Sequence, residues 1–288
     1  MPLTMPLTKI QRDVLRLLAS LRDPESDVAG STPLNRGAAR FSSDIEVFHD
    51  REERVAQAAE RDAAVLERHG YSLRWLRRDP LIYTVAVASP GHDGESQATA
   101  GLDTTKLEWV VDSDFRFLPT VPDEIFGHVL HPAELATNKA SAGYGRREPR
   151  DVVDLITIHD TILPLGAVIW ASVGRTLGFT PEGVINEIRR NARYTEADFR
   201  RPASDPPVDP ARTMNRLREI LTEAESFVAA MPTEVCGSLF LQGGRVVQPD
   251  PARLEDFQTH LGRCRGHWPA SLEISSAMLK SYGGIRPD

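Results

Sequence analysis

The stretch Val28-Ala29-Gly30-Ser31-Thr32-Pro33-Leu34, followed by Arg40-Phe41-Ser42-Ser43-Asp44-Ile45-Glu46-Val47-Phe48, decides how the first half of this chain reads. Asp27 to Gly30 reads as a short strand entering a turn, and Ser31 to Ala39 as a short helix or a loose crossing. Ser43 to Phe48 alternates polar and apolar with period two, the pattern of a half-buried strand. Asp44 and Glu46 are two apart, so on a strand they share a face. Neighbouring carboxylates repel, and a divalent metal, a shared proton or open water must offset them. A later strand predicted over Lys106 to Asp112 carries a third acid, Glu108, with Asp112 as its alternative. Three convergent carboxylates suit magnesium ions that activate a hydroxyl and hold a triphosphate. Gly30 lets a phosphate approach the backbone, and the Ser31 hydroxyl with nearby N–H groups suits terminal phosphates. Taken singly, Gly30-Ser31 is an ordinary turn and the acids a solvated edge. Glycine-serine, twelve residues, then acid-hydrophobic-acid reads as an active site.

Working outward, Thr8 to Leu21 spaces Ile10, Val14, Leu17 and Leu18 as a helix does. Asp50 to His69 reads as a long helix with Val55, Ala59, Asp62 and Leu66 on one side and Gly70 as its stop. Strands are expected over Leu73 to Leu76, Leu81 to Ala88 and Lys106 to Asp112, with Phe115 to Leu118 extending the last or starting another. Pro90 to Gly101 reads as a loop. The order predicts an α+β domain over residues 1–128, with a mixed sheet of four or five strands and flanking helices. From Pro132 the pattern turns helical. Helices are expected from His131 to Ser141, Arg150 to Ile162, Leu165 to Leu177, from Thr180-Pro181, over Ala211 to Ala230 and over Pro251 to Cys264. Arg200 to Pro210 reads as a linker and Gly243-Gly244 as a hairpin turn, giving a mostly helical C-terminal domain over residues 129–288.

The 288 residues include 41 acids and 34 bases, a net charge of -7, which excludes a globally basic nucleic-acid coat but not a local patch. Only four bases are lysines: Lys9, Lys106, Lys139 and Lys280. Two cysteines, Cys236 and Cys264, make no disulfide framework, so a reducing cytoplasm is expected. His128, His131 and His159 are too scattered for a zinc site. The N-terminus does not read as a signal peptide. Ile156 to Val173, broken by His159, Asp160 and Pro164, reads as buried helix and not as a membrane span.

The glycine-serine and acid-x-acid pattern resembles the signature of the nucleotidyltransferase superfamily. More narrowly, Gly30-Ser31-Thr32 with Arg40-Phe41-Ser42-Ser43-Asp44-Ile45-Glu46 resembles the AbiEii/AbiGii-type nucleotidyltransferases, known as toxins of toxin–antitoxin and phage-abortive systems. That family commonly has Gly-Gly-Thr at the turn and aspartate at the second acid. Here serine replaces a glycine, and Glu46, with its longer arm, stands at the second acid. Pro132 to Lys139 resembles a family segment ending in lysine, and Arg146 to Asp154 resembles the family's Arg-Asp-x-x-Asp helix start.

The resemblance implies that Asp44, Glu46 and Glu108 hold Mg2+ and carry the chemistry. It implies that Gly30, Ser31, Arg40, Lys139, Asp151 and Asp154 surround the NTP. Read from the residues alone, Lys139 is a phosphate contact or a surface cation, and Arg40 clamps phosphate or pairs with an acid. Asp151 and Asp154 share a helix face and orient Lys139, bind base or ribose, or support Arg146, Arg147 and Arg150. Lys139, Asp151 and Asp154 are expected to point back toward the acid cluster and close a cleft.

The activity implied is transfer of a nucleoside monophosphate from an NTP to a tRNA-like or other RNA, or to a protein hydroxyl. A cognate antitoxin is a possible partner and a membrane is not. A small-molecule or antibiotic nucleotidyltransferase is the competing enzyme reading. A catalytically inactive nucleotidyltransferase-fold binding protein is the non-enzymatic one.

Overall fold

The alternation read along Asp44 to Phe48 is realised in strand β2 (Asp44–His49), where Ile45, Val47 and His49 are buried and Asp44, Glu46 and Phe48 are half-buried. The structure is a computed structural model that describes residues 7–35, 40, 42, 44–91, 103–176, 178–200, 204 and 207–264. Most of the loop expected over Pro90 to Gly101, the end of the Ser31 to Ala39 crossing and much of Arg200 to Pro210 lie outside the described residues. Packing divides the chain into two units. The first holds the described residues to Asp114 except Arg40, with Thr120–Leu130; the second holds Arg40, Phe115–Pro119 and those from His131 on.

In the first unit, β1 (Ser26–Ala29), β2, β3 (Ser72–Asp79), β4 (Ile82–Ala88), β5 (Thr104–Val111), β6 (Val121–Asp123) and β7 (Gly127–Val129) form one mixed sheet. Its order is β3-β4-β5-β2-β1-β7-β6. β2 runs parallel to β5 and antiparallel to β1, while β1 runs parallel to β7. The sheet thus has seven strands and not four or five; β6 and β7 have three residues each, too few for a two-residue period to show.

Helix α1 (Lys9–Leu18) opens on a reciprocal cap. Thr8 Oγ1 accepts from Gln11 N at 3.3 Å, and Gln11 Oε1 accepts from Thr8 N at 3.0 Å. The short helix α2 (Ser31–Leu34) follows β1 directly, and α3 (Glu52–Arg68) buries Val55, Ala59, Asp62 and Leu66, the side read from the sequence. Asp62 is fully buried. It accepts the Trp109 indole N–H at 2.8 Å and pairs with the guanidinium of Arg22. Trp109 alternates with Glu108 on β5, so the helix-covered face carries Ile45, Val47, Leu107 and Trp109, and the opposite face carries the acids.

The second unit begins with α4 (Pro132–Gly145), α5 (Pro149–Thr161), α6 (Leu165–Ser172), α7 (Pro181–Asn191) and α8 (Pro210–Ala230). Proline stands in the first turn of α4, α5, α7 and α8, where its missing N–H costs nothing. The Ile156 to Val173 run is two helices, α5 and α6, bent by 112° at the break, and every residue of α6 is buried. Among the described residues no single helix is long and apolar enough to cross a membrane.

A second sheet closes the chain: β8 (Ser238–Gln242), β9 (Arg245–Val247) and β10 (Gln258–Leu261), in the order β10-β8-β9. Gly243 and Gly244, at φ 58° and 76°, make the β8–β9 hairpin turn read from the sequence. The helix expected over Pro251 to Cys264 is instead a 3-10 turn, Pro251–Asp256, followed by β10. Phe115 to Leu118 forms no strand. Glu134 holds this segment by accepting the backbone N–H groups of Phe117 and of Leu118, the latter at 2.8 Å. Arg175 Nη1 sits 2.7 Å from the second oxygen of Glu134, and Arg116 bridges backbone to backbone with Arg263.

His49 gives the first unit a pH dependence. Burial, aided by the charge of Arg22, lowers its pKa to about 3, against about 6.5 unfolded. Above pH 6.5 the imidazole is neutral in both states. As pH falls from about 6.5 toward 3, the unfolded chain takes up the proton and the folded chain does not, so stability declines. His49→Leu removes that contribution. Denaturant melts at pH 7.5 and 4.5 should show a smaller acid loss for the variant than for the wild type.

Candidate functional site

The acid face is set by register. In the parallel β2–β5 ladder, Glu46 pairs with Glu108 and Asp44 with Lys106. Because alternate residues share a face, Asp44, Glu46, Lys106 and Glu108 all lie on the same side of the sheet, opposite buried Leu107 and Trp109. Glu108 therefore stands with the β2 acids, whereas Asp112 lies just past the end of β5.

These carboxylates divide into two directions. Asp44 and Glu108 converge on Lys106, whose Nζ is 3.2 Å from Asp44 Oδ2 and 3.2 Å from Glu108 Oε1. Thr84 on β4, the register partner of Glu108, donates its hydroxyl to Glu108 Oε1 at 3.3 Å. Partial burial alone would lower the Lys106 pKa, but the charges of Asp44 and Glu108 outweigh it and hold the ammonium above its ordinary value. Glu46 takes the other direction. Its Oε2 lies 1.8 Å from where a Cβ on Gly30 would stand. Gly30 has φ 71°, a conformation that favours glycine, so the turn into α2 needs this residue both for its backbone and for the room it leaves Glu46.

Ser31 begins α2 beside that turn and is nearly buried, and Thr32 donates its hydroxyl to the Asp44 carbonyl at 2.7 Å. Ser42 Oγ donates to the same carbonyl at 2.8 Å. These two bonds fix the start of β2, and with it the position of Asp44.

Among the described residues no three His, Cys, Asp or Glu side chains are gathered as a metal shell. The geometry explains this: Lys106 stands between two of the acids and the third rests on Gly30. The donor set is nonetheless that of a hard divalent cation, all carboxylate oxygen. Lys106 shows that a single cation reaches both Asp44 and Glu108. Asp44, Glu46 and Glu108 supply the oxygen donors of this face.

The remaining candidates gather in the second unit. Asp151 and Asp154 share the buried face of α5, and neither points to open solvent. Arg40 closes its guanidinium fork on Asp154, at 2.7 and 3.0 Å. Lys139 on α4 reaches Asp154 at 2.9 Å and Asp151 at 3.4 Å. Arg146 closes a second fork on Asp151, at 2.8 and 2.9 Å. Both aspartates thus orient Lys139, Asp151 supports Arg146 as well, and Arg40 is an acid partner. Burial would raise the Asp154 pKa; the charges of Lys139 and Arg40 overcome it and hold the carboxyl below the ordinary range. Arg40, Lys139 and Arg146 thus all converge on these two buried carboxylates.

Lys106 was not among the residues read as functional. Its signal was present in the sequence: it stands two residues before Glu108, on the same strand face, and is one of four lysines.

The Gly30–Glu46 contact is testable. Gly30→Ala should lose about 1–3 kcal/mol of stability from the positive φ and the clash with the Glu46 carboxylate. Adding Glu46→Ala should restore the part due to the clash and leave the part due to backbone strain, as read from denaturant melts of the two variants.

No family model matches the chain, and no curated protein matches it. Among solved structures it is similar to MenT4, a nucleotidyltransferase toxin from Mycobacterium tuberculosis H37Rv, at 19% identity and a TM-score of 0.49 over 76% of this chain and 85% of that one. It is also similar to Cid1, described as an RNA terminal uridylyl transferase, at 14% identity and a TM-score of 0.27 over 59% of this chain and 46% of that one. A second Cid1 structure, of the poly(U) polymerase with MgGTP bound, covers 78% of this chain and 88% of its own at 10% identity and a TM-score of 0.28. These likenesses are of backbone outline, and what the chain can do is read from its own side chains.

Proposed function

We propose that the chain is a magnesium-dependent nucleotidyltransferase that moves a nucleoside monophosphate from an NTP to a hydroxyl of RNA, tRNA-like in the first instance, or of a protein. The observation that carries this reading is the placement of Asp44, Glu46 and Glu108 on one face of two paired parallel strands, with the Gly30-Ser31 turn against Glu46. The sequence pattern across this same turn and strand, which resembles the nucleotidyltransferase signature, supports it.

In this reading Asp44, Glu46 and Glu108 hold the metal. When bound, magnesium offsets the charge of the triphosphate and lowers the pKa of the attacking hydroxyl. The Ser31 hydroxyl and the backbone N–H groups that open α2 take phosphate oxygens, and Gly30 leaves the approach clear. The acceptor oxygen attacks the α-phosphorus in line with the departing pyrophosphate. The cluster of Arg40, Lys139, Asp151 and Asp154 is, within its own unit, a candidate phosphate site, because two buried aspartates hold the Lys139 ammonium in one direction. A role as the toxin of a toxin–antitoxin pair, with an antitoxin as partner, belongs to the same proposal, as does a cytoplasmic location.

The test is incubation with each labelled NTP, magnesium and total cellular RNA, with and without added protein acceptors. Label should appear on one acceptor class. Asp44→Ala should lower transfer by roughly 100-fold or more while shifting the thermal melt by no more than about 3 °C, because it removes only one side of a partly exposed ion pair and leaves Lys106 its contact with Glu108. Undiminished transfer by this variant would remove the acid face from the mechanism, and a collapsed melt would make the acids structural.

A further inference from the structure

Lys106 occupies the place between Asp44 and Glu108 from which one cation serves both. Its ammonium is equidistant, 3.2 Å from each, and register fixes the arrangement: Asp44 lies directly across from Lys106, and Glu108 two residues along the same strand. We propose that Lys106 is the resident counter-ion of the acid face and competes there with the divalent metal. It holds Asp44 and Glu108 together in the metal-free chain and swings away when Mg2+ binds, so that this lysine sets the metal affinity. The inference rests on the metal part of the function proposed above and deepens it.

Three features support exchange. The lysine side chain is 36% exposed and each acid 16%, so the ammonium can reach water on its flexible stem while the carboxylates stay in place. Asp44 and Glu108 share a single ammonium, and a divalent ion brings twice its charge to the same two carboxylates. Finally, Mg2+ demands near-octahedral oxygen ligation, which two carboxylates holding a lysine between them cannot complete. Metal binding and the Lys106 ion pairs therefore exclude each other. The ammonium prevents like-charge repulsion from opening the strand pair when metal is scarce, and it makes the acid face responsive to the free Mg2+ level.

The experiment uses the full chain and Mg2+ alone, without nucleotide. In chelator, Lys106→Met should lower the melting temperature, and Asp44→Asn added to it should recover part of the loss. By calorimetric titration Lys106→Met should bind Mg2+ roughly fivefold tighter than wild type, the worth of a partly exposed ion pair, while Lys106→Arg keeps the charge and gains nothing. Reductive 13C-methylation reads the wild type directly. With four lysines, the Lys106 resonance is identified by its absence in Lys106→Arg, and it should shift as Mg2+ is added. Equal Mg2+ affinity in wild type and Lys106→Met, or a Lys106 resonance that Mg2+ leaves in place, overturns the inference. No Mg2+ binding to either protein overturns it together with the metal reading. Tighter binding by Lys106→Met without transfer from any NTP leaves the inference standing and removes the transferase. Metal-dependent transfer with an unmoved Lys106 does the reverse.

Discussion

Three carboxylates on one half-buried sheet face cannot stand together without positive charge, and Lys106 is what stands among them. Much of the first unit is arranged around that constraint. The register of β2 against β5 sets Asp44 across from Lys106 and Glu46 across from Glu108. A slip of one residue in either strand would turn its acids into the helix-covered core and bring Ile45 or Leu107 out. Burial of Ile45, Val47, Leu107 and Trp109 on one face is thus what keeps the acids on the other. The polar anchor of the core, Asp62 between Arg22 and the Trp109 indole, pins β5 from behind.

The turn before α2 couples backbone to chemistry in the same way. A second acid with a longer side chain needs somewhere to put it. Glu46 reaches the bare Cα of Gly30, so the glutamate at this position and the glycine at the turn are one solution and not two. An alanine there would crowd the carboxylate even if its backbone strain were tolerated. The two hydroxyls on the Asp44 carbonyl, from Thr32 and Ser42, hold the other end of the arrangement.

Period two along Asp44 to Phe48 and the isolated acid in Lys106 to Asp112 were enough to place Asp44, Glu46 and Glu108 on strands, because alternation is local. The role of Lys106 was not legible, because it depends on which strand lies beside β5 and in what register, and such pairing is set by tertiary packing. β6 and β7 were missed because three residues carry no period. Strand β10 falls inside the span expected as helix over Pro251 to Cys264, and its pairing with β8, a contact between distant residues, decides otherwise. In the second unit the shared face of Asp151 and Asp154 followed from their spacing, but not the identity of what meets them. Arg40 comes from 114 residues away to close on Asp154, a contact that no local pattern announces.

The two charged clusters, each taken within its own unit, are built on opposite terms. On the acid face two partly exposed carboxylates, Asp44 and Glu108, share one ammonium. Around Asp154 the aspartates are buried, Asp154 held by Arg40 and Lys139 and Asp151 by Lys139 and Arg146. Removing one member there would strand a buried charge, which is costly, whereas Lys106 can leave its acids for water at little cost. The buried cluster therefore holds Lys139 in a fixed direction, a rigid arrangement. The acid face holds its ammonium loosely, an adjustable arrangement suited to exchange. Rigidity and exchange thus fall to different residues, the first to the buried aspartates and their partners, the second to Lys106 and the acids it bridges.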